Sequence, residues 1–356
     1  MTFPADFPII DPHIHQWDLK HTPRALTWPK KLLGWNNGLY ERAIMLGAKK
    51  SDRDYVGKVD HVAHNYLPET YRQDVRHLNL QQIVHVEADW KDKSGLGPVG
   101  ETLWVDSLFR SQSNIDLGAL IGYVDFRKGN VLGILDAHRK ASKKFVGVRQ
   151  MLAWDHDKGI MRFCDQAKLS QDVRWRQGFD LFARYDLSFE AWFFHHQLDE
   201  MVTLARAYPN IRFVLCHMGT PIGLGGEFST YGKTSKGRES TLRQWQEGMA
   251  KVAECPNVQV KLSGFFMPVV GWGYHLLNQP PSCEQVLDDV QPMFEFVLKH
   301  FGVDRCMFAS NFPMDKASMS FATLYDLYWT LCEGMEHDDK IKVFHDNAKT
   351  HYRLHN

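Results

Sequence analysis

Short runs rich in β-branched and aromatic residues recur along this chain, and longer amphipathic stretches separate most of them. The runs fall near 8–15, 82–87, 118–125, 145–149, 187–196, 211–217, 258–263 and 306–311. Helical periodicity marks 131–144, 175–185, 198–208, 241–254 and 286–301. Parallel neighbours need such long crossovers, so strand, helix, strand repeated eight times predicts a closed parallel sheet ringed by helices. The expected architecture is a distorted (β/α)8 TIM barrel forming one domain over 1–356. An open doubly wound sheet is the alternative, although no Gly-x-Gly-x-x-Gly turn follows the first run as a dinucleotide-binding version requires. Three connections are long: 16–81, 219–240 and 264–283. In a barrel all three would follow strand C-terminal ends and cover one face.

Composition narrows the class of partner. Lys+Arg and Asp+Glu number 42 each, so nothing biases the surface toward nucleic acid or an anionic membrane. The six cysteines are scattered without CxxC spacing, as expected of reduced thiols in a cytoplasmic protein. No apolar run approaches the roughly 20 residues of a membrane-spanning helix, and no signal peptide is read at the N-terminus. The expected partner is a small molecule, anionic or sugar-like. Whether the chain forms a homo-oligomer is left open.

The first run ends in Asp11-Pro12-His13-Ile14-His15. Strand alternation turns His13 and His15 to one side, where two imidazoles suit a divalent metal such as zinc. With 18 His in 356 residues, chance alone supplies about one such pair, so the spacing proves little by itself. Parity across the other runs adds weight. Glu87, Arg149, Glu190, Trp192, His196, His217, Lys261, Ser263 and Asn311 occupy the matching face or the end of their runs. A packed core would not hold that many unpaired polar groups, so they are expected to meet in one site at the barrel mouth.

Asp11-Pro12-His13-Ile14-His15-Gln16-Trp17 resembles the first-strand motif of the amidohydrolase superfamily, in its lactonase-rich branch. Phe145-Val146-Gly147-Val148-Arg149-Gln150 is similar to the branch's fourth strand. Leu215-Cys216-His217-Met218-Gly219 resembles its sixth, and Val260-Lys261-Leu262-Ser263-Gly264 its seventh. Phe344-His345-Asp346-Asn347-Ala348 with Tyr352-Arg353-Leu354 is similar to its C-terminal helix. The resemblance implies hydrolysis of a cyclic ester, of sugar-acid or aromatic-catabolite type, with His13, His15 and His217 holding a divalent metal or orienting the carbonyl without one. It departs at the eighth strand, where the branch's Ser-Asp-Trp-Pro reads Ser310-Asn311-Phe312-Pro313. Asparagine takes up no proton at neutral pH, so the water-handling role falls to Asn311, Asp315 or Glu87, with His196 also considered.

Arg149 and Lys261 are expected to clamp a carboxylate or developing oxyanion; salt bridges to Glu87 or Glu190 are the structural alternative. His196 and Trp192 are assigned to substrate binding, His196 by parity with Glu190. His61, His64 and His77 are read as surface or structural, and Lys49 to Asp54 as a solvated charge run. Two other functions stay in view: a metal-dependent decarboxylase of a small unsaturated or aromatic acid, and a barrel that lost catalysis and binds a metabolite.

Overall fold

The structure is a computed structural model describing residues 1–112 and 115–355. Eight parallel strands pair strictly in chain order: β1 (Pro8–Ile14), β2 (Asn79–Val86), β3 (Asp116–Tyr123), β4 (Phe145–Met151), β5 (Ser188–Trp192), β6 (Arg212–Leu215), β7 (Val258–Leu262) and β8 (Cys306–Phe308). The last strand returns to the first. The His15 N–H donates to the Phe312 carbonyl at 2.9 Å, and the Asn311 N–H to the His13 carbonyl at 3.0 Å. The buried Asp11 carboxylate spans this seam, accepting from the Ser310 N–H (3.0 Å) and the Tyr71 hydroxyl (2.8 Å). Asp11 shares the expected parity with His13 yet serves closure. The result is a (β/α)8 TIM barrel.

The helices begin where side chains can satisfy their free N–H groups. Ser282 and Gln285 form a capping box that starts Cys283–Phe301, a helix burying Val286, Val290, Met293, Phe294 and Val297 on one side. Thr234 caps Ser235–Ala253 by accepting from the Gly237 N–H. That helix therefore starts six residues earlier than its apolar periodicity suggests, and takes over part of the expected 219–240 connection. Leu198–Ala207 packs Met201, Leu204 and Ala205 inward.

The connection after β1 differs most from expectation. It is not an open loop. It folds into α1 (Thr27–Leu33), α2 (Asn37–Gly47) and α3 (Lys50–Val56), then Asp60–Ala63 and Pro68–Asp74. These segments are short, and α3 runs through the stretch read as a solvated charge run. Ile44, Met45, Tyr55 and Val56 close over the barrel mouth, while Tyr71 joins the main core. No helix among the described residues is long and apolar enough to cross a membrane.

Candidate active site

Two strand ends and one turn bring three imidazoles together. His13 lies within β1, and His15 follows its end with alternation intact. Their Nε2 atoms are 3.2 Å apart. The His217 ring sits 4.7 Å, centre to centre, from that of His13. Reaching this position takes an unusual backbone. Past β6 the chain turns sharply, with left-handed φ of 54° at His217 and 50° at Met218. Gly264, at the end of β7, makes room for it: its φ is +69°, and a Cβ there would lie 2.7 Å from the His217 Cβ. Ser263 Oγ, 2.9 Å from His217 Nδ1, fixes the ring.

All three histidines are buried, and all three are held well below the usual imidazole pKa. Desolvation is the largest cause, and the charges of Arg149 and Lys261 add to it at His13 and His217, that of Arg149 at His15. They are neutral at physiological pH, the state a metal ligand needs. His15 Nδ1 lies 2.8 Å from the Val86 carbonyl and must carry a proton to bond it, so its Nε2 lone pair faces the cluster. The 3.2 Å between the His13 and His15 Nε2 atoms suits two nitrogens sharing one tetrahedral zinc, for which bonds of ~2.0–2.1 Å set a separation of about 3.3 Å. The residues therefore fit a divalent cation on the cavity side of His13. The opposite side does not fit one. There His13 Nδ1, Glu190 and Cys216 offer ligand atoms within 4.8 Å of one another. The Lys261 ammonium already occupies that place, 2.7 Å from Glu190 Oε2 and 3.1 Å from His13 Nδ1.

Both expected clamps have carboxylate partners. Lys261 and Glu190 are fully buried, and the Tyr352 hydroxyl donates to the second oxygen of Glu190 at 2.6 Å. Lys261 does not line the cavity, so the substrate-clamp role expected of it is corrected: its charge is spent on Glu190 and His13 beneath the site. Arg149 donates through Nε to Glu87 Oε1 at 2.9 Å and also to the Glu87 carbonyl. Burial opposes its charge, but Glu87 more than compensates and keeps it cationic. Unlike Lys261, Arg149 still reaches the cavity, with Nη1 3.4 Å from His13 Nε2.

Asn311 follows β8 with a left-handed φ of 56°. Its Nδ2 donates to Asp315 Oδ1 at 3.3 Å, while the Gly264 N–H donates to Asp315 Oδ2 at 3.1 Å. Asp315 is fully buried, and desolvation pushes its pKa up to about 8 against the pull of these two donors. Asn311 lines the cavity and Asp315 does not. Asp315 thus meets the cavity only through Asn311, whose amide nitrogen it holds.

These groups form the floor of a cavity of about 370 Å³. His15, Arg149, His217, Asn311 and Trp192 line it, and His13 lies directly behind His15. His196 does not. The strand ends at Trp192 and turns into a short 3-10 segment, so alternation counted from Glu190 no longer applies. His196 is exposed, stacked on Tyr231 and 3.4 Å from Asp155, while His195 is buried with its Nδ1 accepting from the Ile222 N–H at 3.3 Å. Glu87 is likewise behind the floor, as the partner of Arg149. Sequence reasoning missed Tyr55, Met161, Phe163 and Met314, all of which line the walls, and also Asp52 and Arg53 of the charge run. None carries a periodic signal, because each sits on a short helix or an irregular connection.

The sequence profile of the Amidohydrolase family matches residues 118–354. A protein of Sinorhizobium fredii named only as uncharacterized is 29% identical over 350 residues, covering 98% of this chain and all of its own. The L-fucono-1,5-lactonase of Burkholderia ambifaria is 26% identical over 243 residues, 67% of this chain and 71% of that protein. Among solved structures, an amidohydrolase from Burkholderia multivorans superposes with a TM-score of 0.71 with bound HEPES and 0.68 with bound zinc. Each is 21% identical and covers 98% of this chain and 99% of its own. The profile spans well over half the sequence and takes in β4, the His217 turn, β7 and the Asn311 turn: the chain belongs to the amidohydrolase family.

Proposed function

We propose that this protein is a hydrolase that opens a cyclic ester by attack of water on the ring carbonyl. The observation that carries the reading is the meeting of His13, His15, His217, Arg149 and Asn311 at the C-terminal ends of four different strands, around one cavity floor. The lactonase name of a relative and the zinc bound in a neighbour of the same fold support it. The donor set of His13, His15 and His217 would hold a divalent cation, which supplies Lewis acidity for the carbonyl and lowers the pKa of a bound water to roughly 7.

The remaining steps fall to the chain's own groups. Asn311 presents its amide oxygen to the cavity and accepts a hydrogen bond from the attacking water, orienting it. Asp315 fixes which end of that amide faces inward. Arg149, its guanidinium braced by Glu87, donates from Nη1 toward the oxygen on which negative charge develops, and afterwards toward the product carboxylate. Water adds to the carbonyl carbon, the ring C–O bond breaks, and the water's proton ends on the departing ring oxygen. The product is a hydroxy acid. Lys261 and Glu190 are positioning residues that hold His13 from behind.

The test is a panel of lactones offered to protein reconstituted with zinc, scored by acid release with a pH indicator. Turnover of at least one lactone, lost in Arg149→Ala, is the expected result. No turnover of any cyclic ester by metal-loaded protein would overturn the reading.

A further inference from the structure

The floor of the cavity is polar and its walls are mostly apolar. From the β4 and β5 side come Met151, Met161, Phe163 and Trp192, with Met314 beside Asn311. From above, Ile44 and Met45 of α2, Tyr55 and Val56 of α3, and Val59 close over them. Three of the aromatic members form one unit: Phe163 lies 4.4 Å from Trp192 and 5.0 Å from Tyr55, ring centre to ring centre. The two that own a polar atom have already committed it elsewhere. Trp192 Nε1 donates to Thr220 Oγ1 at 2.8 Å, and the Tyr55 hydroxyl to Met267 Sδ at 3.5 Å; neither Thr220 nor Met267 lines the cavity.

Charged wall groups are few and mostly engaged; Asp52 accepts from the Ser51 hydroxyl at 3.1 Å. Arg24 pairs with Glu101 at 2.7 Å, and Arg53 donates to the Met45 carbonyl at 2.6 Å. Asp89 lies 3.7 Å from Lys93. Arg24 keeps Nε and Nη1 without partners, enough for one polar group. A sugar ring needs a donor or acceptor for each hydroxyl, because an unmatched one loses its water without replacement. Beyond these few groups the walls offer, among the described residues, no side chain with a free polar atom. They can bury hydrocarbon.

We propose that the substrate bears an alkyl chain or aryl ring on its cyclic ester, held between the β4–β5 wall and the α2–α3 roof. This deepens the cyclic-ester reading and rests on it for the chemistry, though not for the binding. It also moves away from the sugar-like substrate expected from the sequence. The four methionines make the walls deformable, so chains of different shape are accepted by one pocket.

Two measurements test the proposal. Calorimetric titration of the zinc-loaded protein with 4-hydroxybutanoate, 4-hydroxyhexanoate and 4-hydroxyoctanoate should show affinity rising about fourfold per methylene. A six-carbon sugar acid, galactonate, should bind no better than 4-hydroxybutanoate. In turnover, kcat/KM should climb along γ-butyrolactone, γ-hexalactone and γ-octalactone, and fall for galactonolactone. The half-buried wall variants Met161→Glu and Val56→Glu, placed on different segments in case one fails to fold, should each flatten the chain-length trend at least tenfold at 4-hydroxyoctanoate. Chain-length-dependent binding without any lactone turnover would sustain the apolar pocket and remove the cyclic-ester reading. Tighter binding of galactonate, or affinity indifferent to chain length, overturns the inference even if sugar lactones are hydrolysed.

Discussion

Lys261 and Glu190 form an ion pair of 2.7 Å with no exposure to solvent, directly behind His13. Two charges so placed are stable only together. Desolvating each costs several kcal/mol, and their mutual attraction, with the bond Glu190 accepts from Tyr352, returns most of it.

Lys261→Met should therefore destabilise the fold by about 3–5 kcal/mol, because it strands a buried carboxylate. Combining it with Glu190→Gln should recover a large part of that loss. Urea unfolding of the wild-type chain and the two variants reads the difference. Equal stability of the single and double variants would show that Glu190 does not need its partner.

Arg149 is expected to tolerate no conservative replacement. Lysine has no fork to hold Glu87 through Nε while presenting a second nitrogen to the cavity. Arg149→Lys should lower kcat roughly 10²–10³-fold on the best lactone of the panel, with a smaller change in KM. Steady-state kinetics decide it; an unchanged kcat would place the guanidinium outside the reaction.

Metal binding should follow the imidazoles on the cavity side. Reconstituted protein is expected to retain zinc through gel filtration, whereas His15→Ala should not, as read by elemental analysis. Added zinc should raise the melting temperature of the wild-type chain, the gain growing with the logarithm of free zinc above Kd, and chelator should reverse it. Retention of zinc by His15→Ala would point to the Glu190 and Cys216 side instead.

Two sets of groups shape the pH dependence of stability. Asp315 has a folded pKa raised to about 8 by burial, against an ordinary carboxylate value of 3.8. Between those values the folded state holds a proton that the unfolded chain releases, so stability contributed by the neutral acid is full below about pH 4 and lost as pH rises through about 8. Asp315→Asn should remove that decline, seen as a flatter melting-temperature profile from pH 5 to 9. The histidines act in the other direction. Their depressed pKa values keep them neutral in the fold, so stability falls as pH drops below about 6.5, where the unfolded imidazoles take up protons. A wild-type profile with no loss on the acid side would contradict the buried, neutral state of the cluster.

Much of the barrel was readable before any coordinate. The eight apolar runs match the eight strands to within a few residues at most ends, because alternation and apolar content act locally along the chain. The same local rule placed His13 beside His15. It failed at His196 because β5 stops at Trp192, and residue parity means nothing once the backbone leaves the extended state. His217 and Asn311 also lie beyond their strands, and reach the floor through left-handed turns that no alternation rule describes. Asp52 and Arg53 read as a solvated run, yet line the cavity, since α3 is too short to show a periodic apolar face.

By itself the sequence determined the parallel barrel and offered the polar strand-end residues from which the cavity floor draws His15, Arg149, His217 and Asn311, since strand spacing and alternation act within each segment. Tertiary structure alone decided that Lys261 pairs with Glu190 beneath the floor while Arg149 reaches the cavity, and that methionine and aromatic side chains from three separate connections wall it. Those outcomes depend on how neighbouring strands are staggered and how loops fold back over the mouth. Distances between residues hundreds of positions apart set them, and no pattern along a single segment encodes such distances.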